Sequence, residues 1–506
     1  MKSPVRIALF CALSLAAAGP ANTVQAAMPW QRNAVSDDTL RSAVTDPLAR
    51  SFYERIGWQP IWSPQRADAL VAAIGEASRH GMDGQRFLRL VDEAGSPAAR
   101  EAALTQAALS YGHGLAFGMV DPANLHDHYT LERPTADLVG GLATAAKSGD
   151  IGGWLESLAP SDPEYRALSD AYVQATGKGG GIGPAKPVPA GKLLKPGDRD
   201  PRMVLIARAL QTAGYDVSIN AEKSSLYTPE IEAAVRAFQA DRGLGVDGVI
   251  GAGTIAALNA KPGVHARQLA LNLERRRWLA RNPAERRIDV NTAGTFLTYW
   301  RGGQPAYTTR VVTGKSDTAT PALGSLMTRL VVNPPWYVPD SIAKKEVFPK
   351  GAAYLRREDM YVENGRVIQR PGPKAALGQV KFDLDNPYAI YLHDTPSKAL
   401  FERNERHASH GCVRVQNALE FARMLAEEDG NGALFDEKLA SGKTGVVNFE
   451  RDIPVRLLYH TAWLGEDDRI AYAPDAYGWD DKLAQALGMG GSGEAGVQST
   501  AADLGP

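Results

Sequence analysis

The sequence predicts a multidomain α+β chain, helical in its first half and mainly β in its second. Three observations predict it. The chain has 506 residues, more than one core usually fills. Apolar residues recur at helical spacing up to about residue 280, and from 288 the runs become β-branched and aromatic. With 44% hydrophobic and 22% charged residues the chain is globular rather than wholly disordered. A formal net charge of −1 gives no basic surplus for a phosphate backbone, so no nucleic-acid partner is expected.

Residues 1–26 read as a secretory leader. Lys2 and Arg6 form a positive start, Ile7 to Ala18 a short apolar run, and Val24-Gln25-Ala26 a small-x-small cleavage site. The run falls short of the roughly 20 residues that span a bilayer, so no membrane span is expected after cleavage. Cys11 lies inside the run behind Phe10, which is not the place of a lipid-modified cysteine. Cleavage removes Lys2 and Arg6 from the 56 basic residues, leaving 54 against 57 acidic ones, net −3. It also removes Cys11, so an exported chain would keep one thiol, Cys412, with no sulfur partner of its own.

Residues 27–175 read as a helical domain, with Ala67–Ser78 and Glu101–Leu115 its clearest helices and an aromatic corner at Phe52–Trp62. His126 and His128 form an H-x-H pair without further ligands nearby, and read as solvated loop histidines. Residues 176–192 form a Gly/Pro linker. Gly314-Lys315-Ser316 and Gly442-Lys443-Thr444 end like phosphate loops, but Thr309 and Glu437 stand where the first glycine is required. Residues 193–260 form a three-helix unit: Met203, Ile206, Ala207 and Leu210 share one face, as do Ile231, Ala234, Val235 and Phe238. Gly243 suits a helix C-cap and Asp247-Gly248 a tight turn. Residues 261–285 form a linking helix whose arginine run, Arg275 to Arg277, reads as a solvated or ion-paired face.

Residues 286–460 form the mainly β domain. Strands are expected at Ile288–Val290, Phe296–Trp300, Thr308–Thr313, Leu326–Val332, Ala389–Leu392, Val446–Phe449 and Val455–Tyr459. Gly302-Gly303 marks a hairpin and Ala418–Ala426 a helix. A long insertion, 333–370, interrupts the strands, and residues 461–506 read as a C-terminal segment ending in a disordered tail.

Chemistry concentrates around Cys412. A thiol attacks a carbonyl as thiolate, and imidazole is its usual base. Two histidines qualify: His410, two residues before Cys412, and His393, 19 residues before it at the end of a strand. A residue at i−2 on a strand lies roughly 6.5–7 Å along it, so His410 is a neighbour without being an obvious partner. His393 reaches Cys412 across two adjacent strands or loops. Gly411 permits close backbone approach, and the N–H groups of Gly411 and Cys412 are candidates for an oxyanion site.

Two resemblances follow from these residues. Ala234–Gln239, Gly243–Gly251, Thr254 and Leu258-Asn259 resemble the peptidoglycan-binding module of cell-wall enzymes. His393, fifteen intervening residues and Ser409-His410-Gly411-Cys412 resemble the signature of L,D-transpeptidases with a YkuD-type catalytic domain. Leu269–Leu279, Val311–Lys315, Asn333–Pro339, Pro371–Lys374, Leu377-Gly378, Val380–Phe382 and Tyr391–Pro396 extend the likeness to the large scaffold-containing murein enzymes of Gram-negative bacteria.

The resemblance implies a helical scaffold, a peptidoglycan-binding module and a catalytic domain whose 333–370 insertion is a capping lid. It implies Cys412 as nucleophile, His393 as base and acid, and the backbone carbonyl of Asp394 as its orienter, the Asp394 side chain being dispensable. Gly411 and Cys412 N–H, with Tyr391 or His410, would form the oxyanion site, while Ser409 and Arg414 would shape the donor pocket. It implies 3→3 cross-linking of stem peptides through a thioester in the periplasm, acylation by carbapenems, no metal or organic cofactor, and stem peptides, glycan and cell-wall synthesis proteins as partners. Water or another amine as acceptor, or wall binding without turnover, stay open. Two departures, Ala375-Ala376 where the family favours Asn and His407-Ala408 where it favours an aromatic, concern the pocket.

Overall fold

The computed structural model describes residues 35–176, 186–218, 225–242, 244–259, 262–465 and 468–489. The leader, most of the Gly/Pro linker, Gly243 and the tail from 490 lie outside the described residues.

The first unit is all helix, from Asp37–Ala43 to Pro163–Thr176. Several helices start on a side-chain cap followed by proline: Asp46 before Pro47, Ser63 before Pro64, Ser96 before Pro97. The helix Pro97–Phe117 runs through the middle, and its alanines let neighbours pack on nearly every side. Its Glu101 is buried and takes the N–H of Ile61 at 2.6 Å and the Tyr53 hydroxyl at 3.1 Å. That fastens the aromatic corner, where Trp58 stacks on Tyr53 at 5.8 Å.

The three-helix unit comprises Met203–Thr212, Pro229–Asp241 and Ala252–Leu258. Gln239 organises its turn: Oε1 accepts the Gly248 N–H at 2.9 Å, and Nε2 donates to Asp247 and to the Val249 carbonyl, each at 3.0 Å. Gly248 has φ +67°, which favours glycine. The described end of the linker belongs to this unit, because Val188 is buried in its core.

The linking helix, Pro262–Arg277, returns to the first unit with Leu269 and Leu273. Its three arginines are paired in different directions: Arg275 with Asp480 at 2.5 Å, Arg276 with Asp162 and Glu164 at 2.6 Å each, Arg277 with Glu274 at 2.6 Å. The arginine face is ion-paired, as one of the two expectations has it, but it is buried, not solvated.

The β domain uses β1 (Arg287–Asn291), β2 (Phe296–Arg301), β3 (Gln304–Gly314), β4 (Leu323–Val332), β5 (Trp336–Tyr337), β6 (Met360–Glu363), β7 (Arg366–Gln369), β8 (Val380–Leu384), β9 (Leu392–His393), β10 (His407–Ser409), β11 (Val413–Val415) and β12 (Gly445–Leu458). Nine strands order as β10-β3-β11-β9-β8-β4-β12-β1-β2, and β2 also pairs with β3, closing a barrel that leaves β10 outside the ring. The helix Ala418–Glu428 plugs it with Ala418, Phe421, Ala422, Leu425 and Ala426, the i, i+3, i+4, i+7, i+8 stripe. Phe421 stacks on Tyr307 at 5.1 Å.

Three expectations change here. The strands expected at 446–449 and 455–459 are one strand, β12, whose pairing with β4 shifts register between Asn448 and Ile453. Ala389 is not in a strand; it has φ +56°, and only Leu392-His393 pair. His126 is not a solvated histidine: its ring lies 4.4 Å from Trp479 and near Tyr129 and Trp278, and burial lowers its pKa to about 4. His128 is exposed beside Tyr388, and no metal-ligating cluster occurs among the described residues.

After the barrel, β13 (Ala462–Leu464) and β14 (Ile470–Tyr472) form a hairpin, followed by the helix Trp479–Ala486. The hairpin meets the three-helix unit, with the Arg242 guanidinium 5.1 Å from the Tyr472 ring. No helix among the described residues is long and apolar enough to cross a membrane.

Candidate active site

Cys412 immediately precedes β11 and is buried, 6% exposed. Its Sγ faces the carbonyl of Ala389 at 3.6 Å. That carbonyl is aimed by Asn386, whose side-chain oxygen takes the N–H groups of Tyr388 at 3.1 Å and Ile390 at 3.2 Å. Burial pushes the thiol up to about 11, against the pull of Tyr391, Lys381 and Arg414.

His393 stands on the neighbouring strand. β9 and β11 run parallel with Leu392 opposite Val413 and His393 opposite Arg414, which sets Tyr391 beside Cys412. The sequence alternates so that Leu392, Val413 and Val415 enter the barrel core while Tyr391, His393, Cys412 and Arg414 share the other face. His393 Nδ1 lies 2.5 Å from the Asp394 carbonyl. A carbonyl only accepts, so Nδ1 carries the proton and Nε2 is the basic nitrogen. The Asp394 side chain is not idle: its carboxylate takes the Gln379 N–H at 3.0 Å and pairs with Lys398, holding the turn beside His393.

The loop before Cys412 is held from inside. The Ser409 hydroxyl donates to the Cys412 carbonyl at 2.6 Å and accepts the Gly411 N–H at 3.1 Å. Gly411 has φ +118°, so glycine is needed for its conformation while its missing side chain would meet nothing closer than 3.6 Å. The Gly411 N–H, expected as an oxyanion donor, is engaged by Ser409 in this structure, and Ser409, fully buried, braces the loop. Arg414, on the same face as His393, is 1% exposed.

The loop is also backed from behind. Thr320 donates to the Gly411 carbonyl at 2.9 Å and accepts the Gly314 N–H at 2.9 Å. The Tyr477 hydroxyl, from the C-terminal segment, donates to the Gly314 carbonyl at 2.9 Å. His407 is structural: Nδ1 is 2.5 Å from Glu405 and Nε2 2.9 Å from the Thr292 carbonyl. Ala375 is buried in the turn behind the lid.

The insertion is a folded lid. Trp336, Val338, Ile342, Ala343, Val347, Tyr354, Met360, Val367 and Leu377 form its own small core, and Tyr391 packs against it. Glu346, in a π-helical turn Ala343–Val347, accepts from His410 Nε2 at 2.7 Å. His410 therefore faces the lid. The sequence reading gave no role to Lys381, Asp383, Ala389, Glu346, Thr320 or Tyr477. Val380–Phe382 entered it only as part of the likeness.

Comparison with known proteins follows the same division. Residues 285–444 match the L,D-transpeptidase catalytic domain, 47–171 the Scaffold domain, and 199–258 the "Putative peptidoglycan binding domain". A Haemophilus influenzae protein named "Putative L,D-transpeptidase" is 32% identical over 240 residues, 43% of this chain and 48% of that protein, so the match spans about half of that relative's length. Among solved structures, L,D-transpeptidases of Xylanimonas cellulosilytica and Stackebrandtia nassauensis are 17% and 15% identical. They cover 53% and 54% of this chain and 98% and 97% of their own, with TM-scores of 0.20 and 0.25, too low to bear on fold or function. Cys412 and His393 thus lie within the stretch that matches the L,D-transpeptidase catalytic domain, in one chain with stretches that match a Scaffold domain and a putative peptidoglycan-binding domain.

Proposed function

We propose that the protein is a cysteine-dependent L,D-transpeptidase that forms 3→3 cross-links between peptidoglycan stem peptides. The observation that carries this is the juxtaposition on neighbouring segments: Cys412 immediately before β11 and, on the adjacent β9, His393 with Nδ1 tied to the Asp394 carbonyl. In the first half-reaction the thiol proton passes to His393 Nε2 as Sγ attacks the carbonyl of the third stem residue, expected to be meso-diaminopimelate. The C–N bond to D-alanine breaks, His393 returns the proton to the leaving amine, and a thioester remains. A side-chain amine of a second stem then attacks the thioester, and the sulfur leaves. The Cys412 N–H and the Tyr391 hydroxyl are the donors for the oxyanion.

The lid core against Tyr391 and the Glu346–His410 contact favour aminolysis over hydrolysis, because both sit where water would reach the thioester. The peptidoglycan-binding type of domain would raise the local concentration of polymer at the site. A periplasmic location is part of the proposal, supported by the leader-like pattern of residues 1–26 in the sequence. The test is to incubate the protein with disaccharide-tetrapeptide and weigh the products. A cross-linked dimer with loss of one D-alanine supports the reading. Tripeptide alone would point to an L,D-carboxypeptidase, and no turnover to a wall-binding protein.

A further inference from the structure

β8, β9 and β11 lie side by side beneath the lid. β8 and β9 are antiparallel with Lys381 opposite His393 and Phe382 opposite Leu392; β9 and β11 are parallel with His393 opposite Arg414. Val380, Phe382 and Leu384 enter the barrel core, so Lys381 and Asp383 stand on the same face as Tyr391, His393, Cys412 and Arg414. One row across the three strands is Lys381, His393, Arg414. The next row is Asp383, Tyr391, Cys412.

Lys381 does not extend into solvent from this position. Its Nζ is 2.6 Å from Asp383 Oδ1 and 4.6 Å from the centroid of the Tyr391 ring. An ammonium over a phenol face is attracted by the ring's negative face, and the attraction strengthens where water is excluded. Tyr391 stands opposite Cys412, one residue before the paired residues Leu392 and Val413. The order Asp383, Lys381, Tyr391, Cys412 runs across three neighbouring strands toward the sulfur.

We propose that Lys381 is a positioning residue for the nucleophile: pinned by Asp383, its ammonium holds the Tyr391 phenol against Cys412 and supplies a fixed positive charge that favours the thiolate. This rests on the reading of Cys412 as nucleophile. The other charged or titratable groups around this row are Arg329 on β4, which shares Asp383 at 2.6 Å, His393 on β9, Arg414 on β11, the His410–Glu346 pair between loop and lid, and the Asp394–Lys398 pair behind His393. Arg414 is 1% exposed on that face, whereas Lys381, 23% exposed, can lose its charge without leaving a hole.

The test is alkylation of Cys412 by iodoacetamide in the full chain, where a sulfur–carbon bond forms and iodide leaves. Following the mass of the Cys412 peptide from about pH 5 to 11 keeps Cys11 out of the measurement. Lys381→Met is expected to slow alkylation about tenfold at every pH from about 7 to 10, and Lys381→Arg to restore the rates to within about twofold. Lys381→Gln serves if the Met variant does not fold. A neutral variant whose profile superimposes on the parent's overturns the proposal, as does an Arg variant that behaves like the neutral one. If the parent forms a thioester with a tetrapeptide stem and the profiles do not move, the positioning role fails and the transpeptidase reading stands. If the profiles move and the parent forms no thioester, the positioning role stands and the transpeptidase reading fails.

Discussion

The hydroxyl of Ser409 and the carbonyl of Cys412 lie 2.6 Å apart, and the same hydroxyl accepts the Gly411 N–H. One buried side chain thus fixes the peptide group after Cys412 and the peptide group before Gly411. Ser409→Ala leaves two buried backbone groups without this partner, a cost of about 1–3 kcal/mol in stability. The expected outcome is a lower denaturant midpoint together with a roughly ten- to hundredfold slower single-turnover acylation, while Cys412 still alkylates. Acylation at the parent rate would mean that the loop keeps its shape without the hydroxyl.

The His393 role predicts a particular pH dependence. A thiol pushed up to about 11 by burial is almost wholly protonated at pH 7 unless a base takes its proton. In His393→Ala acylation near pH 7 is expected to vanish, then climb about tenfold per pH unit toward pH 10 as hydroxide does the work of the imidazole. A His393→Ala profile parallel to the parent's, with activity lost only in His410→Ala, would transfer the base role to His410.

Glu346 and His410 join the lid to the catalytic loop through one contact. Glu346→Ala is expected to raise hydrogen exchange across residues 336–377 and to shift products from cross-linked dimer toward tripeptide, because water gains access to the thioester. Unchanged exchange and product ratio would show that the lid core against Tyr391 suffices.

His80 gives a stability prediction away from the site. It is 6% exposed, and burial, with Arg277 nearby, lowers its pKa to about 4. The unfolded chain, with a histidine near 6.5, binds one proton more than the folded one between those values. Stability is therefore lost as pH falls from about 6.5 to 4, at about 1.4 kcal/mol per pH unit for this group. In His80→Gln the slope of urea stability against pH over that window is expected to be smaller by about that amount.

What the sequence disclosed depended on the length and regularity of each signal. The helices of the first half were legible because long stripes at 3.6-residue spacing repeat, and the plug helix because Phe421 and its neighbours hold that spacing. The pairing of Cys412 with a strand-end histidine was legible because strand adjacency brings distant residues together. β9, β10 and β11 are two or three residues long, too short for alternation to show. β12 read as two strands because its bulge interrupts the pattern. His126 read as solvated because nothing local announces that Trp278 and Trp479 come from far along the chain to cover it. Lys381 had no local signal of its role, since the ring it covers lies on another strand.

The C-terminal segment carries a consequence for timing. The catalytic-domain match stops at residue 444, yet β12 runs on to Leu458 and Tyr477 reaches back to Gly314, whose N–H shares Thr320 with the Gly411 carbonyl. A chain made from its N-terminus therefore presents Cys412 to its surroundings before the strand that closes the barrel and the tyrosine behind the loop exist. The loop that carries Cys412 gains its backing only when the chain has been produced through Tyr477 and folded back, so a chain ended before that residue would carry the cysteine without this geometry.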